Sequence, residues 1–405
     1  MNPAPHLKAL DGLRGAGALI VVLWHLAASF FPAAAFGVMR PNSFSAELLF
    51  YNSPLWVLLS GSFAVCLFFV LSGYVLTADY FRRQDLKSIV RRMLIRFPRL
   101  ALPASAFTFA SWLLYRGYPD YFVDYARLVW RPTGSYELIA QYFNLSPDTS
   151  IGALAKNLFW LPWFQTPDFK RLYNGVLWTM YVELAGSFLV MSLAIVLAAI
   201  RLRWIAAAAF ALCGCVIMFA IPGYGLYFAM LLVGGAIALF DPKHIDGFGC
   251  CRNLPLALLV AGMFLGGYNG AGLSKALSPL MFASNIVPSA VMLKGIGAIL
   301  TFVGVISSKE LSDFFSKDAF VFLGRISFSL YLCHPLIIGV VGIAIFSALG
   351  PLVPISARAI FAAVISLGAS ISLAIVAARF VDAPAISFSR NLALRLTAPM
   401  KDARG

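Results

Sequence analysis

Four sets of polar residues interrupt an otherwise apolar chain, and each could do chemistry. Arg14 and His25 stand eleven residues apart within one apolar run. At 100° per residue that separation returns to within about 20° of the same helix face, with an axial rise of about 16 Å. One face would then carry a guanidinium, suited to holding an anion, and an imidazole, suited to moving a proton near neutral pH. Thr179, Glu183 and Ser187 fall at i, i+4 and i+8, a polar stripe on a second helix. A carboxylate in that setting must be protonated or paired with a cation or a histidine. Ser327, Tyr331 and His334 fall at i, i+4 and i+7 on a third, and Pro335 behind the histidine frees a backbone carbonyl and allows a kink. Each set also has a structural reading: a snorkelling Arg with a His on a backbone carbonyl, a Glu–Arg or Glu–His lock, and hydroxyls as packing glue. Lys294, in the middle of a further run, would pair with Glu183 or Asp79, or else mark a misplaced span.

These residues gain weight from their surroundings. Of 405 residues, 61% are apolar and 12% charged, where a soluble domain carries roughly a quarter. The apolar residues come in runs of about twenty, the length a helix needs to cross roughly 30 Å of hydrocarbon. Nothing alternates with period two, so the pattern predicts an all-α, polytopic helical bundle rather than a barrel. The runs place about ten transmembrane helices at 15–38, 53–77, 100–116, 177–200, 204–222, 224–240, 254–270, 286–307, 319–346 and 356–380. An ionisable group inside such a span costs a few kcal/mol or more, which makes it a functional candidate by default.

An even number of spans puts both termini on one side. Arg82, Arg83, Lys87, Arg91, Arg92, Arg96 and Arg99 crowd one short loop, which assigns that side, and both termini, to the cytoplasm. The net charge of +14 then follows from topology and anionic lipid, and no nucleic-acid partner is needed to explain it. Cys66, Cys213, Cys215 and Cys333 lie in spans and Cys250 and Cys251 in an inner loop, so all six are expected as free thiols. No zinc spacing accompanies them, and no metal is expected. Lys8 and Arg14 before the first run could open a signal peptide, but the run is long and holds His25, so it reads as a retained span.

The chain reads as one domain, 1–405, with an extracytoplasmic loop at 116–175 and a cytoplasmic tail at 388–405. The loop ends in Phe159-Trp160-Leu161-Pro162-Trp163-Phe164, an interfacial belt that would serve as a lid or as an anchored loop. Asn144-Leu145-Ser146 is a glycosylation triplet. Gly15-Ala16-Gly17 and Gly262-x-x-x-Gly266 follow no strand, so they read as close helix packing rather than nucleotide loops.

In order and spacing these residues resemble the membrane-bound acyltransferase 3 family. Leu10-Asp11-Gly12-Leu13-Arg14-Gly15 followed by His25 is similar to its opening signature, an Arg, ten residues, then a His. Phe68-Phe69-Val70-Leu71-Ser72-Gly73-Tyr74 resembles its second-helix motif, and Arg96-Phe97-Pro98-Arg99-Leu100 its cytoplasmic Arg-x-x-Arg element. Leu177-Trp178-Thr179-Met180-Tyr181-Val182-Glu183 is similar to its Trp-Ser/Thr-x-x-x-Glu motif, and Gly324 to Pro335 to its late Ser-Tyr-x-x-Tyr-Leu-x-His motif. Phe380-Val381-Asp382-Ala383-Pro384 resembles its closing Glu-x-Pro. The sequence departs at Cys66, where many relatives are acidic, at Phe328 in place of the first Tyr, and at Asp382 in place of Glu.

The resemblance implies an acyl-coenzyme A, usually acetyl-coenzyme A, as co-substrate with no tightly bound cofactor, and a sugar or other hydroxyl as acceptor. It implies carbohydrate or glycoconjugate modification at a bacterial cytoplasmic (inner) membrane. His25, Arg14, Glu183 and His334 are then the expected catalytic residues, with Arg92, Arg96, Arg99, Ser72, Ser327, Tyr331 and Trp178 binding substrate. The side-chain chemistry agrees on the donor, since Arg91, Arg92, Arg96 and Arg99 could grip phosphates at the inner face. His25 would act as general base, with Glu183 orienting it and Ser327, Tyr331 and His334 on the acceptor side or at the oxyanion. Transfer through a covalent intermediate on His25 is the other enzymatic route. The rival class is a secondary transporter using the same His, Glu and Arg as a proton relay; it calls for inverted repeats, and none is visible.

Overall fold

The computed structural model describes residues 5–39, 44–120, 123–124, 126–134, 147–165, 168, 171–240, 253–281 and 288–397. The glycosylation triplet at Asn144 and the pair Cys250 and Cys251 lie outside the described residues. Those described form helices and connecting turns, with no strand among them. In chain order the main helices are α1 (Pro5–Phe30), α2 (Pro32–Phe36), α3 (Ser45–Tyr51), α4 (Gly61–Arg83), α5 (Leu86–Gly117), α6 (Ile151–Phe159), α7 (Trp178–Leu197) and α8 (Arg203–Ala220). They continue as α9 (Gly225–Ile237), α10 (Leu254–Gly266), α11 (Ser289–Ile306), α12 (Lys309–Phe315), α13 (Asp318–Ala348), α14 (Ile355–Ala377) and α15 (Ala383–Leu396).

Each of the ten expected runs falls on one of these helices. Among the described residues, seven helical stretches are long and apolar enough to cross a membrane: Lys8–Phe30, Gly61–Arg83, Gly175–Leu197, Arg203–Ala220, Ser289–Ile306, Asp318–Ala348 and Ile355–Leu396. The chain is therefore a multi-pass, all-α membrane protein. The sixth and seventh runs fall on α9 and α10, apolar helices of 13 residues, or about 20 Å. The third falls on the 32-residue α5, whose first half holds the arginine cluster.

Several boundaries differ from the sequence reading. The first run, expected to continue to residue 38, breaks at Phe31, and Pro32 starts the short α2, whose Ala33 and Ala34 amides donate to Glu47 Oε2 at 3.0 and 3.2 Å. Burial raises the Glu47 carboxyl above the ordinary carboxylate range, while backbone amides of Phe44, Ala34 and Ala33 pull it the other way. The second run, expected from residue 53, becomes a 3-10 turn at Pro54–Leu59 before α4. The last apolar helix continues through a π turn at Ala378–Asp382 into α15, so the residues expected to open a tail at 388 are helical as far as Leu396. Pro384, at the first turn of α15, needs no amide partner there, so the helix tolerates it.

Packing follows small residues, as it must where lipid tails are as apolar as the helix faces. Where α1 crosses α13, a Cβ on Gly324 would lie 2.1 Å from the Asp11 carbonyl and one on Gly15 would lie 2.5 Å from the Gly324 nitrogen. Only glycine permits that approach, and it brings the Arg14 turn of α1 against the start of α13. Gly262 meets α11 in the same way, with Gly297 O 2.7 Å from its virtual Cβ, so both glycine motifs serve helix packing. Between α4 and α5 the chain turns at Gln84, in the left-handed region with φ 54°, and Asp85 caps α5 by accepting from Ser88 N at 3.2 Å.

Candidate active site

Because α1 is one uninterrupted helix from Pro5 to Phe30, the Arg14 and His25 side chains share a face and sit at two separate stations along it. At the upper station His25 meets His334 of α13: the rings are 4.7 Å apart at 63°, with His334 Nε2 3.2 Å from His25 Nδ1. His25 Nδ1 also lies 2.9 Å from the Val21 carbonyl, and His334 Nδ1 lies 3.0 Å from the Leu330 carbonyl. Carbonyl oxygens only accept, so the network assigns a hydrogen to Nδ1 of both rings. Neutral His334 then offers the Nε2 lone pair to His25 Nδ1–H, and a proton on that nitrogen would set N–H against N–H. What remains is Nε2 of His25, with a lone pair and no hydrogen bond to any described residue. His334 is fully buried and His25 half-buried. Pro335 has no N–H to give the Tyr331 carbonyl four residues back.

The lower station is ionic. Arg96 of α5, 8% exposed, pairs with Glu183 of α7. Its Nε donates to Ser187 Oγ at 2.8 Å and its Nη2 to Ser72 Oγ at 3.2 Å, while the Ser72 hydroxyl donates to Glu183 Oε1 at 2.7 Å. Three helices are thus joined by one buried carboxylate, and the stripe Thr179, Glu183, Ser187 is explained residue by residue. Arg14 and Arg99 lie within electrostatic reach of this cluster. Arg14 holds Asp11 at 3.1 Å with a third of its side chain exposed. Arg99 is exposed and makes no hydrogen bond or ion pair with a described residue.

Other expected site residues are engaged within the fold. Arg92 holds Asp79 at 2.5 Å and the Val75 and Leu76 carbonyls at 3.4 Å, and Arg91 Nε donates to Thr397 Oγ1 at 2.8 Å. Of the four arginines expected to grip phosphate, Arg99 has no described partner, and Arg91, bonded through Nε alone, keeps its Nη donors open. Ser327 Oγ donates to its own helix at Gly324 O, 2.8 Å, and the Tyr331 hydroxyl donates to Val176 O at 2.6 Å while meeting Thr179 Oγ1 at 2.9 Å. Neither hydroxyl has a hydrogen left for an oxyanion. Trp178 packs at a tilt against Tyr224 and Tyr227, with ring centroids 5.9 and 5.1 Å away. Glu183 does not orient His25; it holds Arg96. Lys294 pairs with neither Glu183 nor Asp79 and lies 5.3 Å over the Trp56 ring. Cys66, Cys213, Cys215 and Cys333 are free thiols.

Asn174 was missed by the sequence reading. It is 3% exposed and its Nδ2 donates to the Leu332 carbonyl at 2.8 Å, tying the segment before α7 to α13 beside Tyr331. An asparagine just before an expected span carries no signal until its distant partner is known. Away from both stations, a cavity of about 490 Å³ lies between residues 147 and 173.

Comparison with known proteins adds three findings. A family model described as an acyltransferase domain matches residues 7–379. Among curated proteins, O-acetyltransferase PaAT-1 of Phomopsis amygdali is 26% identical over 389 residues, which covers 83% of this chain and 73% of that protein. No solved structure matches the chain significantly.

Proposed function

The chain belongs to the acyltransferase 3 family, and from that premise we propose that it moves an acetyl or other short acyl group from cytoplasmic acyl-coenzyme A to a hydroxyl presented outside. The acceptor we propose is a sugar or glycan-like molecule. The observation that carries the mechanism is the single open lone pair at His25 Nε2, fixed by two backbone carbonyls and a second histidine.

In this reading the coenzyme A phosphates meet Arg99 and Arg14 at the mouth, where charge-assisted donors are open. The pantetheine arm follows the α1 face for about 16 Å, the axial distance from Arg14 to His25. His25 Nε2 takes the proton of the acceptor hydroxyl as its oxygen bonds to the thioester carbonyl carbon. The C–S bond breaks, the coenzyme leaves as thiolate, and the proton passes from His25 to that sulfur. Arg96, Glu183, Ser72 and Ser187 hold the helices that form the lower part of the path. His334, Tyr331 and Ser327 keep α13 and the His25 ring in place rather than touching substrate. An acyl-His25 intermediate would use the same Nε2 lone pair as its nucleophile, and direct transfer needs one step fewer.

The test is to reconstitute the full chain in liposomes with labelled acetyl-coenzyme A on the side of the arginine loop and a hydroxyl acceptor on the other. Label in the acceptor, lost in His25→Ala and Arg14→Ala at equal expression, supports the enzyme. An intact thioester while an acceptor-like solute crosses would favour the transporter.

A further inference from the structure

The cavity between residues 147 and 173 is a built one that the transfer step does not use. It is lined by Asp148, Ser150, Lys156, Asn157, Arg171 and Tyr173 among others. Its walls are fixed from behind. Asn157 Oδ1 accepts from Tyr173 N at 3.0 Å, the Tyr173 hydroxyl donates to Asp148 O at 2.5 Å, and the Tyr115 hydroxyl of α5 donates to Tyr173 O at 2.7 Å. The open charges are cationic. Lys156 makes no ion pair with a described residue, and Arg171, 63% exposed, holds Asp168 only loosely at 3.8 Å. The Asp148 carboxylate accepts from Ser150 N–H and Oγ–H at 2.9 and 3.2 Å, and these bonds, with the nearby Lys156 charge, hold it below its ordinary range.

Helix α6 divides this cavity from an apolar exterior. Gly152, Ala153, Lys156 and Asn157 face the cavity. Ile151 and Phe159 stand outward, 65% and 66% exposed, and Trp160 and Phe164 extend the same edge at 56% and 54%. Aromatic side chains on such an edge sit where headgroups meet hydrocarbon. From the cavity wall the chain leads inward to the histidines: Tyr173 lines the cavity, Asn174 is bonded to Leu332 O, and Val176 O takes the Tyr331 hydroxyl one turn before His334.

We propose that this cavity is the acceptor subsite and that the acceptor is a membrane-embedded amphiphile with an anionic head. Lys156 and Arg171 hold its phosphate or carboxylate, its apolar tail runs over the Phe159, Trp160 and Phe164 edge, and its hydroxyl is presented inward toward His25. The proposal rests on the acyl-transfer reading and names its acceptor class.

The probe is decyl phosphate, titrated calorimetrically against the full chain in zwitterionic nanodiscs, with inorganic phosphate and decyl maltoside as the free-anion and neutral-amphiphile arms. Decyl phosphate binds saturably, at least tenfold tighter than either control, and Lys156→Ala/Arg171→Ala weakens it about tenfold or more. Both side chains are exposed, so the variant keeps the parent's melting temperature, and Lys156→Glu is expected to abolish binding. Equal binding to parent and double variant, or inorganic phosphate binding as tightly as decyl phosphate, overturns the proposal. Saturable binding without any label transfer in the liposome assay removes the acyl-transfer reading alone; label transfer that the double variant leaves untouched removes this subsite alone.

Discussion

At one end of the Arg14–His25 face the polar groups close on one another, whereas about 16 Å along the same helix they stop one partner short. Glu183 Oε1, Ser72 and Ser187 all engage Arg96, so that station is a charge-paired network across α4, α5 and α7. The histidine station is satisfied at three of its four ring nitrogens, through Val21, Leu330 and the inter-ring contact, and leaves His25 Nε2 bare. An ion pair that bridges helices in a largely buried setting holds a structure together. A buried group held rigidly with one open valence is placed to act on something else. In the proposed mechanism that difference gives stability to one station and proton transfer to the other, although both carry the residue types expected of a catalytic centre.

The strongest way to break that division is His25→Gln, whose amide can still reach the Val21 carbonyl but offers no base. Turnover is expected to fall by about 10²–10⁴-fold, with the melting temperature unchanged, measured as initial rate of label transfer. Next, Arg96→Leu or Glu183→Leu leaves a buried charge without its partner and should cost about 3–5 kcal/mol of stability. The double variant should recover much of it, as read from unfolding midpoints in one detergent. If Glu183→Leu instead abolished turnover at full stability, the two stations would not differ in kind. His334→Gln sharpens the comparison further. It frees the His25 tautomer, so the rate should drop on the order of 10–100-fold and the pH profile of kcat/KM should move, while a merely structural role would leave the profile in place. The smallest effect belongs to Arg99→Ala. The KM for the acyl donor should rise about tenfold with kcat held, and its dependence on ionic strength should flatten.

Much of the fold was legible because hydropathy and length decide it. The runs that became α4, α11 and α13 needed nothing beyond their own residues. The Arg14–His25 face was legible for the same reason, since helix geometry relates two positions on one element. His334 could be picked out as one of four histidines, but its partner could not, being 309 residues away. Glu183 had to find a cation, and the sequence offered several: Arg96, Arg14 and Lys294 were equivalent until α5 was placed against α7. Arg92 read as a phosphate ligand because Asp79, one turn before the loop, gave no sign that it would reach back across it. Breaks at Phe31 and before Gly61 were hidden because the apolar run continues through both, and hydropathy does not register a change of direction.

The central claim is that His25 presents a bare Nε2. Solid-state NMR of protein labelled with [15N]histidine, in lipid at neutral pH, reads it directly, because the chain holds only four histidines and the His25→Gln and His334→Gln variants assign two of them. Both rings are expected to be neutral with the hydrogen on Nδ1. A hydrogen on Nε2 of His25, or an imidazolium at His334, would contradict the account.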